Sequence, residues 1–337
     1  MRRIYKQLLA FSLIIGMSLS SFHITCVHAE ETTEEATVES TDWMAGISDD
    51  TYLSSVTIPG THDSASTYIF PSFFLQCQTQ NFSEQLASGY RYLDIRLALD
   101  ETEDEGTKLK FIHNFGTCKK ESSFLQLFSE TLYLEDVLED VYSFLDEHPT
   151  ETVIFCVKAE NTDDDVSTLE SKFFETIDKN ASKWYTANEI PTLGSVRGKI
   201  VLATRFEDVN GEGEGRTGLH FSWSDQNNKE PVIDTQEITM MNDYNQLWVQ
   251  DRYKYKTETK WDAVVESLEN CQARDDTFSL NFCSTSGNGS AGHPKKYARI
   301  INKNLLNYEL SSQTSYGIIV VDFANESLAR HIYSTNF

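Results

Sequence analysis

The chain has 337 residues, 52 of them acidic and 28 basic, for a formal net charge of −24. That excess argues against nucleic acid as a partner through bulk charge and against attraction to anionic membranes; it speaks for solubility and says nothing of fold. The cysteines show no CxxC spacing, and five follow residue 29, an odd number that fits neither a full disulfide framework nor a zinc site.

Residues 1–29 read as a secretory signal. Arg2, Arg3 and Lys6 form a positive start, Leu8 to Ser21 is uncharged and largely apolar, and Val27-His28-Ala29 offers small residues where a signal peptidase reads. The apolar run is short for a membrane span, and no later segment approaches ~18 uncharged apolar residues. Cys26 follows Ile24-Thr25, a poor lipoprotein box, so the expected location is extracellular without a lipid anchor. Residues 30–41 form an acidic, polar leader expected to be disordered. Residues 42–337 read as one domain.

Eight short apolar or β-branched runs follow: Ser55–Pro59, Tyr92–Leu99, Leu109–His113, Thr152–Lys158, Lys199–Arg205, Leu247–Tyr253, Phe278–Cys283 and Gly317–Phe323. Several are apolar at nearly every position, as in parallel strands covered on both faces. Between them lie helix-like stretches, Ser83–Ser88, Leu132–Glu147, Val166–Ala181, Thr259–Ala273 and Tyr297–Leu310. In the second, Leu134, Val137, Leu138, Val141, Phe144 and Leu145 share one face and Pro149 ends the segment. Glu207–Gly218 reads as a surface loop. The alternation predicts an α/β fold, a single (β/α)8 TIM-type barrel. The irregular segment after the third run, and the lack of a clear helix before the sixth, predict that it is distorted or incompletely closed. Cys156 and Cys283 fall in strand-like runs and should be buried thiols; a Cys77–Cys118 bridge stays open.

The polar groups that stand out sit at the downstream ends of these runs, where a barrel delivers its catalytic residues. They are His62-Asp63 after Pro59-Gly60-Thr61, Arg96 in Asp94-Ile95-Arg96, and His113 in Ile112-His113-Asn114. Splitting a phosphodiester by an internal hydroxyl needs a base, an acid and positive charge on the non-bridging oxygens. Two histidines and an arginine can meet those needs without a metal.

The blocks Ile58-Pro59-Gly60-Thr61-His62-Asp63-Ser64, Leu93-Asp94-Ile95-Arg96, Thr152–Lys158 and Val249-Gln250-Asp251-Arg252-Tyr253 resemble, in order and spacing, the bacterial phosphatidylinositol-specific phospholipase C family. The resemblance runs from about Asp42 to the C-terminus. It implies a secreted phosphatidylinositol diacylglycerol-lyase, releasing diacylglycerol and inositol 1,2-cyclic phosphate from phosphatidylinositol and, by extension, from glycosylphosphatidylinositol anchors. Its partner would be that lipid, met transiently at a membrane surface by a monomer. By the same resemblance His62 is the base toward the inositol 2-hydroxyl, oriented by Asp322; His113 is the acid, helped by Asp63; and Arg96 clamps the phosphoryl oxygens. Lys158, Arg205, Asp251 and Tyr253 are assigned to substrate binding, and Asp94 is grouped with them as a partner of Arg96 or His113.

Calcium-dependent relatives place acids around Arg96 and an Asn directly after the first histidine, where this chain has Asp63. A fixed guanidinium repels a cation, so neither metal nor cofactor is expected. Two departures stand out. Glycine usually follows the second histidine in the family, but here the chain reads Asn114-Phe115-Gly116. The aromatic-rich late rim loop gives way to Gly287–Gly292 and then Lys295-Lys296. Ile69, Phe70, Phe73 and Phe74 are the remaining candidates for a membrane-facing rim. Two other readings stay open on these residues: a metal-dependent phosphodiesterase on a similar barrel, and a lipid-binding module without activity.

Overall fold

The computed structural model describes residues 39–102, 106–121, 129–161, 163–206, 216–227, 236–288 and 293–337. The stretch expected to be a signal sequence, most of the stretch expected to be an acidic leader, most of Glu207–Gly218 and the segment 289–292 lie outside the described residues. No described helix is long and apolar enough to cross a membrane. Ser40 and Thr41, ahead of Asp42, are tied to the barrel. Arg91, fully buried and 2.9 Å from Glu151, also donates to the Ser40 and Thr41 carbonyls at 3.1 and 2.8 Å.

Twelve strands form one sheet: β1 (Ile58–Thr61), β2 (Tyr92–Thr102), β3 (Gly106–His113), β4 (Gly116–Thr117), β5 (Val153–Ala159), β6 (Trp184–Tyr185), β7 (Ile200–Thr204), β8 (Leu219–His220), β9 (Glu237–Met240), β10 (Gln246–Gln250), β11 (Thr277–Phe282) and β12 (Ile318–Val321). The order is β6-β7-β5-β2-β1-β12-β11-β10-β9, with β8 beside β7 and the β3–β4 hairpin attached to β2. The path ends at β9, antiparallel to β10, and no ladder joins it back to β7 or β8 among the described residues. The fold is an α/β barrel that stays open at this seam.

The helices are α1 (Ser72–Leu75), α2 (Phe82–Ala87), α3 (Leu134–Glu147), α4 (Val166–Asp178), α5 (Leu193–Val196), α6 (Thr257–Asn270), α7 (Pro294–Asn307) and α8 (Glu326–Tyr333). The five predicted stretches are all present. The apolar face of α3 buries all six residues named for it. Asn81 caps α2 through a capping box with Glu84, and Asp165 caps α4. Helix α8 escapes sequence reading because it spans only two turns.

Seven of the eight predicted runs become parallel barrel strands. The third does not: β3 runs antiparallel to β2, pairing Leu97 with Phe111 and Thr102 with Gly106. Strand β2 is long enough to rise beyond the barrel, and β3 returns along it.

Period-two alternation explains both the core and the site. In β5, Val153, Phe155 and Val157 pack with Leu138, Val141, Phe144, Leu169 and Phe173 of the outer helices. Ile154 and Cys156 face the interior with Tyr92, Val201 and Ala203. In register, Tyr92 lies beside Ile154, Asp94 beside Cys156 and Arg96 beside Lys158. The inward set therefore climbs from apolar to charged along each strand: Tyr92, Asp94, Arg96 on β2, and Ile154, Cys156, Lys158 on β5. Likewise Ile58, Gly60, His62; Leu247, Val249, Asp251, Tyr253; and Ile318, Val320, Asp322. Burying each large apolar side chain below contributes about 1.5–3 kcal/mol, which fixes the strand parity and so aims the charged residues above into the barrel mouth. Cys77, Cys118, Cys156, Cys271 and Cys283 are all buried free thiols, so the bridge left open between Cys77 and Cys118 is not formed.

Candidate active site

The strand ends line a cleft of about 970 Å³. His62, Arg96, His113 and Asp322 lie on its floor, with Lys158, Arg205, Asp251 and Tyr253 along one side. Of the residues assigned from sequence to catalysis, all five converge. His62 Nδ1 lies 2.7 Å from Asp322 Oδ1, and His113 Nε2 lies 3.0 Å from Asp63 Oδ2. Arg96 Nε lies 2.7 Å from Asp63 Oδ1. The two imidazole rings stand 6.2 Å apart, nearly perpendicular.

Hydrogen-bond partners distinguish the two rings. At His113, Nδ1 lies 2.7 Å from the Leu75 carbonyl, while Nε2 faces the Asp63 carboxylate. Burial disfavours charge on Asp63, but Arg96, His113 and His62 outweigh it and hold its carboxyl well below the usual range. Both partners of His113 are acceptors only, so each ring nitrogen is placed to donate a hydrogen.

His62 is different. Nδ1 donates to Asp322, whereas Nε2 faces Arg96 Nη2 at 3.0 Å. A guanidinium only donates, so Nε2 presents its lone pair there. Asp63 Oδ2 stands 3.3 Å from the same nitrogen, placed to receive a hydrogen once the ring takes one up. Burial opposes a charged ring, yet the carboxylates of Asp63 and Asp322 prevail and raise the pKa of His62 to about 9. Arg96 and the carboxylates pull on this proton in opposite directions. Arg96 Nη2 can donate to the neutral ring and Asp63 Oδ2 can accept from the charged one, so the same nitrogen has a partner before and after it takes up a proton.

Arg96 is held on three sides. Besides Asp63, Asp94 Oδ2 lies 3.1 Å from Nη2 and Glu160 Oε1 lies 3.2 Å from Nη1. Asp94, grouped with the substrate-binding residues but read as a partner of Arg96 or His113, is the partner of Arg96. It is fully buried beneath Arg96, also accepts the Asp63 backbone N–H at 3.1 Å, and does not line the cleft. Its burial follows from strand parity: it occupies the layer below the mouth.

Glu160 was missed by sequence reading. It lies two residues past Lys158, binds Lys158 Nζ at 2.7 Å, and bridges it to Arg96. Trp223 was missed too. The Arg205 guanidinium stacks 3.8 Å from its ring centroid, and its Nε1 donates to Asp251 at 3.2 Å. Tyr253 Oη donates to Asp225 at 2.7 Å. Trp223 and Asp225 sit in an irregular segment with no strand pattern, so only their aromatic and acidic character hinted at them.

The rim assignment is partly corrected. Ile69 is fully buried and packs under Gly116, so it cannot meet a membrane. Phe70 and Phe73 are 72% and 61% exposed, and Phe115 is 73% exposed. Phe74 lines the cleft, 5.9 Å from the His293 ring. Phe115 is set out by the β3–β4 turn, where Asn114 has φ +56° and His113 pairs with Gly116. Among the described residues, the grouping of His, Cys, Asp or Glu close enough to hold an ion is His62, Asp63 and Cys77. Arg96 contacts two of these three, so a guanidinium already stands where a cation would.

An open α/β barrel with a polar cleft at the C-terminal ends of its strands, floored by two histidines that share one carboxylate, is the class of protein that these features define. Residues 56–206 match the family model of the phosphatidylinositol-specific phospholipase C X domain. The 1-phosphatidylinositol phosphodiesterase of Listeria monocytogenes is 27% identical over 319 residues, spanning 89% of this chain and 86% of that protein. The Staphylococcus aureus (strain Newman) protein of the same name is 26% identical, over 88% of this chain and 92% of its own. In fold, the chain is similar to a phosphatidylinositol-specific phospholipase C of S. aureus solved to study modulation of its membrane binding. The TM-score is 0.70 at 24% identity, covering 89% of this chain and 98% of that one.

Proposed function

We propose that this protein is a phosphatidylinositol-specific phospholipase C of the lyase type, needing no metal. The observation that carries the reading is the convergence of two histidines on one Asp63 carboxylate oxygen, with Asp322 on the far nitrogen of His62 and the Arg96 guanidinium between them. His62 Nε2 accepts the proton of the inositol 2-hydroxyl as its oxygen attacks phosphorus. The bond from phosphorus to the glycerol oxygen breaks, and His113 gives that oxygen its proton. The products are inositol 1,2-cyclic phosphate and diacylglycerol. Asp322 steadies the His62 imidazolium, and Arg96 meets the charge on the non-bridging oxygens. After one turnover the two rings have exchanged states.

The cleft's chemistry supports this class of substrate. One side offers Lys158, Arg205, Asp225, Asp251 and Tyr253, donors and acceptors for ring hydroxyls, with the Trp223 face behind Arg205. The other is lined by Phe74, Leu75, Phe115 and Pro294. It adjoins His113, where the diacylglycerol leaves, and the exposed Phe70 and Phe73 extend it toward a bilayer. We read the enzyme as a secreted monomer that visits the membrane transiently. Glycosylphosphatidylinositol anchors share the reacting group and belong to the same proposal.

The test is phosphorus NMR of residues 30–337 with phosphatidylinositol in detergent micelles and EDTA. A cyclic inositol phosphate signal is expected. Product that forms only when calcium is added would overturn the metal-free mechanism, and silence with and without calcium would favour a binding module.

A further inference from the structure

The ladder between β1 and β12 ends at Thr61 and Val321, one residue short of both His62 and Asp322. The last backbone bond runs from His62 N–H to the Val321 carbonyl at 3.0 Å. Beyond it the two strands turn away through Asp63 and Phe323, with φ of +43° and +51°, a left-handed conformation unfavourable for a residue with a side chain. Past that bond no backbone hydrogen bond joins the two chains among the described residues, and ring and carboxylate meet only through Nδ1 and Oδ1.

A third segment supplies a further tie. The Gln78 side chain is fully buried, and Nε2 donates to the His62 carbonyl at 2.8 Å and to the Val321 carbonyl at 2.9 Å. Its Oε1 accepts from Ala324 N–H at 3.0 Å. The preceding carbonyl, that of Cys77, accepts from Phe323 N–H at 2.6 Å. The amide orientation is dictated by these partners: reversed, it would set oxygen against two carbonyls and NH2 against an N–H.

We infer that Gln78 is a positioning residue for the reaction, supplying the rung that β1 and β12 lack and so fixing His62 Nδ1 against Asp322 Oδ1. The kinetic consequence rests on the proposed reaction, whereas the structural one does not. Gln78 meets neither substrate nor the reacting atoms; its effect passes through the backbone of both.

Gln78→Met keeps the volume and removes all three bonds. The comparison is Asn336→Leu. Asn336 clamps the other end of β1, accepting from Thr57 N–H at 2.9 Å and donating to the Thr57 and Tyr333 carbonyls at 2.9 and 2.8 Å. Both variants should unfold at lower temperature. Only Gln78→Met should lose kcat on phosphatidylinositol, by about tenfold to a hundredfold with little change in KM, as misplacement of a reacting group costs. Only it should move or broaden the downfield proton resonance of His62 Nδ1–H, assigned by its absence in His62→Ala. Equal kcat and an unmoved resonance in Gln78→Met would overturn the inference and leave an ordinary packing role. Should the Met variant not fold, Gln78→Asn, one methylene too short for all three partners, serves in its place. If the wild-type protein cleaves no phosphatidylinositol, the proposed reaction fails, and the resonance alone still decides the role of Gln78.

Discussion

His62 and His113 meet across one carboxylate oxygen, yet the regions that carry them are built differently. His62 caps a strand with parallel neighbours on both sides, above fully buried Ile58, Tyr92 and Val320. His113 lies outside the barrel on the returning arm of a hairpin, and its second anchor is the carbonyl of Leu75 in the one-turn helix at the rim. The base is set by a close-packed lattice. The acid is set by surface elements shared with the exposed phenylalanines. Disturbance of the rim therefore reaches the acid before the base.

The largest effect should come from His62→Ala, which removes the proton acceptor from the rigid side. Turnover on phosphatidylinositol should fall about 10⁴-fold, measured by release of diacylglycerol with the fold checked by circular dichroism. Retained turnover would remove His62 from the reaction. His113→Ala should cost about 10²–10³-fold on lipid and far less on an inositol phosphodiester with a nitrophenol leaving group, which needs no protonation. An equal loss on both substrates would mean that the two histidines do not divide acid from base.

Asp322→Asn sharpens the comparison through pH. His62 stands above its ordinary value because Asp63 and Asp322 favour its charged form. Removing one of those charges should lower the ring's pKa from about 9. Catalysis needs the neutral ring, so the acid limb of kcat/KM should move to lower pH while maximal turnover falls about 10²-fold or more. Stability has the opposite sign. What the charged pairs contribute in the wild type is fully present below pH ~6.5, the unperturbed histidine value, and is lost as pH rises through about 9. Proton NMR of the histidine ring hydrogens in both proteins measures these shifts. The smallest effect should be that of Phe115→Ser. Turnover on vesicles should fall several-fold to about tenfold, the worth of one buried aromatic contact, with a much smaller change on a short soluble glycerophosphoinositol. An equal change on both would place Phe115 in the packing around His113 and not at a lipid surface.

Much of this molecule was legible in its sequence. Apolar runs at nearly every position announced strands covered on both faces, and the six-residue stripe of α3 announced its packing. Because side chains alternate strictly along a strand, the burial of Ile58, Tyr92, Ile154, Leu247 and Ile318 already determined that His62, Arg96, Lys158, Asp251 and Asp322 face one space. Those local rules reach only as far as regular backbone does. They read Leu109–His113 as one more barrel strand, because a period of two does not distinguish an antiparallel return from a parallel neighbour. They gave Ile69 to the rim, since nothing in a residue's identity says which layer covers it. Only the tertiary structure decided these, along with the Glu160 bridge, the Trp223 stack and the amide of Gln78 between two strand ends. Each depends on contacts between segments far apart in the chain, formed where the strands stop and periodicity no longer constrains direction.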